Sequence, residues 1–307
     1  MTQTALSRLI QNTVDYAGLF PPAGLPMEEV IKNYATYIQS TDRQMLGRLI
    51  IPAAKLSTLE LPTDIDAAWR ISALIPPCDG DDTTALSGGF ELIQQFNQAQ
   101  TDGPSLALVD AIEVKTPSAK AVHATADLLP DNINGFFEIG LLNSTQANVD
   151  DLIAQVRDVN KPNVFAKVRT GGVTPDLVPS AKQVAQFIHA CARNKVGFKA
   201  TAGLHHPVRA QQNLTYQPDS PRATMHGFLN VFVASMIAFE HNASEETLAE
   251  ILSNESAEKF VFTDDHIKWN KMEVSATRIS EIRQSGIVSF GSCSFVEPST
   301  ELAELKY

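Results

Sequence analysis

The chain has few of the residues that mark disulfide-bonded, metal-stapled or membrane-spanning proteins. Its 307 residues include three cysteines, Cys78, Cys191 and Cys293, which lie far apart and form no Cys-x-x-Cys pair. An odd, scattered set of cysteines argues against a disulfide framework and against a structural zinc site. No basic segment followed by an apolar one opens the chain, so we predict no signal peptide and expect a cytoplasmic protein.

Positive charge is also scarce. The chain has 24 lysines and arginines against 35 aspartates and glutamates, a formal net charge of -11. Because binding to phosphate backbones or anionic lipids needs an excess of basic residues, we expect neither a nucleic-acid partner nor a membrane. A small-molecule substrate is the partner that this composition favours, and a local basic site would suit a small anion.

Long apolar runs are missing as well. The longest uncharged apolar stretch runs from Gly227 to Phe239, which is too short to span a bilayer and predicts a buried helix. Such a helix packs equally well against the rest of the chain or against a second subunit. The sequence therefore leaves both a monomer and a homodimer as alternatives.

What the chain does contain is an alternation of short β-rich runs and longer helical patterns, which favours a (β/α)8 TIM barrel over a doubly wound open sheet. The β-rich runs are mostly continuous stretches of apolar residues and not alternations of apolar and polar residues, as in parallel strands covered on both faces. Eight runs predict strands: Val14–Phe20, Met45–Pro52, Arg70–Pro76, Leu106–Val114, Ile133–Gly140, Val164–Thr170, Val196–Gly203 and Ile287–Gly291.

The helical patterns between them include Met27–Ile38, Ala119–Leu128 and Ala181–Lys195, the last with a capping-box pair at Ser180 and Gln183. Residues 208–286 do not fit this repeat, and we interpret them as a helical insertion before the last strand of a single domain, 1–307. An alternative puts the seventh strand at Phe260–Thr263, which would make the first predicted strand an N-terminal extension.

Two of the predicted strands each carry a lysine. Lys167 lies in the sixth and Lys199 in the seventh, and a buried ammonium is costly unless it is paired or functional. Side chains alternate along a strand, so Lys167 shares a face with Arg169, and Lys199 with Thr201. If these faces point into the barrel, the cations lie at its C-terminal mouth, where the active sites of such barrels are found.

Six segments, taken in their order along the chain, resemble the motifs of a known enzyme family. They are Val14-Asp15-Tyr16-Ala17-Gly18-Leu19-Phe20-Pro21-Pro22, Val109-Asp110-Ala111-Ile112-Glu113, Phe136-Phe137-Glu138-Ile139-Gly140, Lys167-Val168-Arg169-Thr170-Gly171, Val196-Gly197-Phe198-Lys199-Ala200-Thr201-Ala202-Gly203 and Gly291-Ser292-Cys293-Ser294. In this order they resemble the deoxyribose-phosphate aldolase family, Schiff-base enzymes built on a TIM barrel. Arg169, His205 and His206 depart from that family, as does the insertion, and a sister family would account for them.

The resemblance implies a class I aldolase-like carbon–carbon lyase that acts on a small carbonyl compound, with or without a phosphate group, and needs no cofactor or metal. It implies that Lys167 forms the Schiff base and that Asp110 shuttles the proton. Lys199 and Arg169 would hold Lys167 uncharged by repulsion between like charges. The expected substrate-binding residues are Asp15, Glu138, Arg169, Thr201, His205, His206, Gly291, Ser292 and Ser294.

Two other functions remain open at this stage. His205, His206 and a carboxylate would suit a metal-dependent barrel lyase or hydrolase, although neighbouring residues on a strand point to opposite faces. The second is a barrel that binds a small anion without catalysis. For Cys293, no activating residue is evident from the sequence, and we expect a packing role.

Overall fold

Eight parallel strands close into a barrel in the computed structural model, which describes residues 4–62, 67–78, 80–101, 107–142, 144–305 and 307. In chain order the strands are β1 (Val14–Tyr16), β2 (Leu46–Pro52), β3 (Trp69–Leu74), β4 (Ala107–Lys115), β5 (Asn134–Ile139), β6 (Val164–Arg169), β7 (Phe198–Thr201), β8 (Ala210–Asn213), β9 (Arg222–Met225), β10 (Val261–Phe262), β11 (His266–Trp269), β12 (Met272–Ser275) and β13 (Ile287–Ser292). The barrel runs β1-β13-β7-β6-β5-β4-β3-β2 and closes where β1 pairs with β2.

The eight predicted strands are therefore the eight barrel strands, and the open-sheet alternative is wrong. Leu106, the predicted start of the fourth strand, lies outside the described residues. The alternative seventh strand is also wrong, because β10 pairs antiparallel with β11 in a separate three-stranded sheet. The two-residue strand β10 therefore forms no part of the barrel.

Helices cover the outside of the barrel, and their ends follow the signals in the sequence. The helices are α1 (Ala5–Ile10), α2 (Met27–Ile38), α3 (Thr84–Thr101), α4 (Ala119–Leu128), α5 (Gln146–Asp158), α6 (Ala181–Asn194), α7 (Phe228–His241), α8 (Glu245–Leu252), α9 (Ala276–Ser285) and α10 (Val296–Glu304). The capping box at the start of α6 is confirmed, since Ser180 and Gln183 bond to each other's backbone N–H groups. Within the described residues, no helix combines the length and the apolar character needed to cross a membrane.

The helical insertion lies between β7 and β13, as predicted, and contains α7, α8 and α9. It also holds two small antiparallel sheets, the hairpin β8–β9 and the sheet β10–β12, in segments whose polar stretches and short apolar runs did not predict strands. The apolar helix α7 is buried from Phe228 to Ala238 within its own chain. The apolar residues 228–238 of this helix are therefore covered without a second subunit.

Candidate active site

The side chain of Lys199 is completely enclosed at the centre of the barrel. Its Nζ donates to Asp15 Oδ2 at 2.5 Å and to Glu113 Oε1 at 2.7 Å, and all three residues are 2% exposed or less. The ammonium also lies 5.1 Å from the centre of the Phe136 ring. Two carboxylates and an aromatic face offset the loss of hydration that burial imposes on this cation.

Lys167 lies beside Lys199, because β6 and β7 pair with these two residues in register. Its Nζ is 2.8 Å from Glu113 Oε2 and 2.6 Å from Glu138 Oε2. One carboxylate, that of Glu113, therefore binds one lysine with each oxygen. Three carboxylates and two ammonium groups form this network, so a predicted pair of cations is in fact a cluster with an excess of negative charge.

Local backbone geometry brings the carboxylates to the lysines. On β4, consecutive residues of β3 pair with Val109 and Ala111, so Asp110 is the extra residue of a β-bulge. Strict alternation would put Asp110 and Glu113 on opposite faces of the strand, but the bulge resets the alternation, and Glu113 lies against both lysines. On β1, Asp15 also accepts from the Arg48 backbone N–H at 2.7 Å.

Asp110, the predicted proton shuttle, is not brought to the lysines. It binds Arg48 through Nε at 2.5 Å and Arg70 through Nη2 at 2.6 Å, nearer the amino end of β4 than Glu113. The Phe136 ring, 5.9 Å from the Arg48 guanidinium and 5.1 Å from Lys199 Nζ, contacts both ion clusters. The structure thus gives Glu113 the position expected of Asp110.

The charge state of Lys167 also differs from the expectation. Burial alone would lower the pKa of this amine, but the carboxylates of Glu113 and Glu138 outweigh it and raise the pKa above its ordinary value. Burial would likewise raise the pKa of Glu113, and the two ammonium groups instead hold it far below its usual range. Lys167 is therefore an ammonium at rest, and the prediction that its neighbours keep it uncharged is wrong.

A cavity of about 700 Å³ opens above this network at the C-terminal ends of the barrel strands. Lys167 and Glu113 line it, and so do Arg169, Thr201 and Gly291 from the ends of β6, β7 and β13. The shared face predicted for Lys167 and Arg169 is thus present. Neither Lys199 nor Asp15 is among the described residues that line the cavity, which makes Lys167 the accessible amine.

Close backbone packing shapes one side of the cavity. Gly203 adopts a φ of +76°, and a Cβ on Gly171 would lie 2.9 Å from the Gly203 Cα, so the turns after β6 and β7 touch through two glycines. Two of the predicted substrate-binding residues, Ser292 and Ser294, instead form hydrogen bonds within their own loop. Ser292 Oγ accepts from the Ser294 N–H at 3.3 Å, and Ser294 Oγ accepts from the Glu297 N–H at 3.2 Å, near the start of α10.

Both predicted histidines line the cavity, but each binds a different glutamate. His205 Nδ1 lies 2.7 Å from Glu297 Oε2, and His206 Nδ1 lies 2.8 Å from Glu301 Oε1. Their ring centres are 6.4 Å apart. In the part of the chain that the structure describes, no cluster of three or more His, Cys, Asp or Glu is arranged to hold a metal ion. The geometry therefore gives no support to the metal-dependent alternative.

The hairpin β8–β9 forms a wall of the cavity that sequence reasoning missed. Among its lining residues are Tyr216 and Arg222. Its strands carry few apolar residues and so give no strand signal in the sequence, because its residues face a cavity instead of a core. Glu297 was missed too, because it lies on α10, 92 residues from its partner His205.

No protein-family model and no curated protein sequence matches the chain. Among solved structures it is similar to QR15, an aldolase, with 10% identity, 96% of each chain covered and a TM-score of 0.48. It is also similar to a putative deoxyribose-phosphate aldolase from Toxoplasma gondii ME49, with 14% identity, 98% of this chain and 92% of that one covered, and a TM-score of 0.36.

A third similar structure is the catalytic domain of a hyperthermophilic chitinase from Pyrococcus furiosus, with 14% identity, 71% of this chain and 81% of that one covered, and a TM-score of 0.39. The remote resemblance to aldolases thus extends to solved structures. At these identities and TM-scores the likeness carries no argument about activity. The TIM-barrel assignment rests on this chain's own strand order, and the chemistry rests on its cavity.

Proposed function

We propose that the protein is an aldolase-type carbon–carbon lyase in which Lys167 forms a Schiff base with a small carbonyl substrate. The observation that carries the proposal is the position of Lys167, which lines a cavity of about 700 Å³ while two carboxylates hold its amine. Lys199 is enclosed beneath it and bound by Asp15 and Glu113. The two lysines therefore have different roles, nucleophile and fixed positive charge.

The nucleophile must first lose a proton. Glu113 and Glu138 both contact the Lys167 amine, so a single hydrogen bond separates the ammonium from either acceptor. The free amine then attacks the carbonyl carbon, and loss of water gives the iminium. That iminium carries the same positive charge as the ammonium it replaces, and the carboxylates already in place stabilise it without rearrangement.

Cleavage of the carbon–carbon bond draws its electrons into the iminium and leaves an enamine. The substrate hydroxyl on the far side of the breaking bond must give up its proton to a nearby base. Glu113 suits this role by its position, because it lines the cavity, whereas Glu138 is not among the described residues that do. Lys199 would keep Glu113 ionised through both steps, since its ammonium lies 2.7 Å from that carboxylate.

Two arginines support an anionic substrate. Arg169 follows Lys167 by two residues on β6, and Arg222 projects from the hairpin, and both line the cavity. Guanidinium groups bind carboxylate and phosphate through paired hydrogen bonds. We therefore include in the proposal a substrate that carries a carboxylate or phosphate beyond its carbonyl group.

Borohydride trapping tests the proposal. The protein is incubated with a panel of small aldehydes and ketones, with and without anionic groups, then reduced and mapped by mass spectrometry. We expect a stable adduct on Lys167, its loss in Lys167→Met, and no change in Lys182→Met, which alters an exposed lysine of α6. An adduct mainly on Lys199, or none on Lys167 across the panel, would overturn the assignment.

The same variants address the non-catalytic alternative. If the barrel only binds a small anion, Lys167→Met keeps its affinity for anionic carbonyl compounds in calorimetry, and the wild-type protein neither cleaves nor condenses any of them. An aldolase instead turns over at least one compound of the panel, and Lys167→Met abolishes that turnover while circular dichroism shows an intact fold.

A further inference from the structure

A second set of reactive groups lies in the same cavity, apart from the lysine network. Cys293 Sγ is 3.8 Å from His205 Nε2, and on the other side of the ring His205 Nδ1 is 2.7 Å from Glu297 Oε2. A thiol, an imidazole and a carboxylate are thus linked in series through the two nitrogens of one ring. That is the order of groups in nucleophilic triads, in which a carboxylate orients the base and the base activates the nucleophile.

Separate elements of the barrel bring these groups together. Cys293 directly follows β13, His205 follows β7, and Glu297 lies in the first turn of α10. Tyr216 of the insertion adds a fourth contact, since its hydroxyl donates to Glu297 Oε2 at 3.0 Å and lies 3.7 Å from Cys293 Sγ. All four side chains line the cavity, so a ligand inside it can reach the sulfur.

We propose that Cys293, His205 and Glu297 form a nucleophilic triad that accepts an acyl group from small esters or thioesters. Cys293 is the nucleophile, His205 the acid–base group at its sulfur, and Glu297 the positioning residue that orients the imidazole. The inference goes beyond the proposed lyase activity and does not depend on it.

The charge state of the imidazole agrees with this geometry. Burial alone would lower the pKa of His205, but its hydrogen bonds to Cys293 and Glu297 outweigh burial and raise the pKa to about 9. The groups that face the ring are Cys293, Glu297, and His206 beside it, with Tyr216 bound to the same Glu297 oxygen. At neutral pH the imidazole is therefore protonated, and it can give its proton to a departing group.

The chemical step balances without an oxidant or a cofactor. The sulfur attacks the carbonyl carbon as its thiolate, the nucleophilic form, an S–C bond forms, and the electrons of the C=O double bond move to oxygen. When the intermediate collapses, the bond to the leaving alcohol or thiol breaks, and His205 gives that group its proton. Water then cleaves the resulting thioester, with His205 taking a proton from it, and releases the acid and free Cys293.

The triad and the Schiff-base lysine occupy different depths of the cavity. Lys167 is level with Lys199, which lies two residues before Thr201 on β7. Thr201 is level with Gly291 on β13, and Cys293 lies two residues after Gly291. Cys293 is the first residue beyond the end of β13, so its sulfur lies nearer the mouth than the Lys167 amine. A short acyl group can therefore react at the sulfur near the mouth without reaching the amine at the floor.

The other two cysteines serve as internal controls. Cys191 is fully buried on α6, and burial raises its pKa well above the ordinary value. Cys78 is partly exposed and follows β3. A thiol that reacts by exposure alone would be Cys78, whereas one activated by its neighbours would be Cys293.

Acylation by p-nitrophenyl acetate tests the triad. The protein is incubated with this ester near neutral pH, and the acetyl groups are located by peptide mapping with and without hydroxylamine, which cleaves thioesters and leaves acetyl-lysine intact. We expect one hydroxylamine-labile acetyl group on Cys293, formed at least about tenfold faster than on Cys78. The rate is unchanged in Cys78→Ser and lost in Cys293→Ser.

Glu297→Gln tests the positioning role. We expect a tenfold or greater loss of acylation rate, and a shift to lower pH of the limb that reports loss of the imidazolium proton, because one cause of the raised His205 pKa is gone. Labelling mainly on Cys78, labelling confined to lysines, or equal rates in the wild type and in His205→Gln would each overturn the triad. The readout is a thioester on Cys293, so its failure is distinct from failure of the Lys167 adduct.

Discussion

Lys167 and Lys199 lie opposite each other in register on neighbouring strands, and a single carboxylate, that of Glu113, binds both ammonium groups. The arrangement answers the electrostatic difficulty posed by two buried lysines. It also means that any change at Glu113 acts on both lysines at once, which makes this residue the most informative one to alter.

Glu113→Gln is expected to lower the pKa of Lys167, because one of the two carboxylates that keep it charged is removed. The pH midpoint of borohydride trapping should then move to lower pH. Each lysine keeps one carboxylate partner, so we expect a loss of unfolding free energy of only about 1.5–3 kcal/mol, the value of a hydrogen bond to a charged group. Trapping rates from pH 6 to pH 10 and urea denaturation measure the two effects, and an unmoved midpoint would contradict the first.

Asp110→Asn provides a matched change of a carboxylate on the same strand. It removes the negative partner of the buried Arg48 and of Arg70. We expect a loss of about 3–5 kcal/mol of unfolding free energy, the usual result when one partner of a buried pair is deleted. Because this cluster lies apart from the cavity, the pH midpoint of Lys167 trapping should stay at the wild-type value. A shift as large as that of Glu113→Gln would restore Asp110 to the site.

Stability should fall as the pH rises through neutrality. Burial disfavours the charged form of His205, but its partners raise the folded pKa to about 9, whereas an unfolded histidine titrates near ~6.5. A raised folded pKa gives stability that is fully present below pH ~6.5 and lost by about pH 9, with an upper limit of about 3 kcal/mol. Unfolding free energies across this window should show the decline, which His205→Gln removes and His123→Gln, on α4, retains.

Gly47 leaves the room that Asp15 needs. A Cβ at this position on β2 would collide with the Asp15 carboxylate. Gly47→Ala should therefore displace Asp15 from Lys199 and cost about 1–3 kcal/mol, as overpacking of a buried site does. Gly88→Ala on α3 is the control, since nothing lies within 4 Å of its added Cβ, and it should stabilise the fold by roughly 0.5–1 kcal/mol. Equal thermal shifts in the two variants would refute the steric argument.

The barrel and its lysine pair could be predicted from the sequence because both depend on local signals. Apolar runs and cap residues locate strands and helices, and the position of Lys167 and Lys199 within their runs places them side by side. Asp110 was expected at the site from the family resemblance, whereas Glu113 contacts the lysines, because a single bulged residue shifts the alternation of β4 and no pattern in its sequence predicts that bulge. The partnership of His205 with Glu297 was not predictable either, since only the closed barrel brings residues 92 positions apart into contact.

The hairpin β8–β9 belongs to the insertion, whereas Lys167 and Glu113 belong to the barrel strands, and all of them line the same cavity. The reacting groups and part of the wall that meets the substrate therefore lie on different segments of the chain. Substitutions in the hairpin can change which molecules are admitted without touching the ion network beneath. The hairpin, which lies in the insertion that departs from the barrel repeat, is thus the part of the chain that can change substrate specificity most readily.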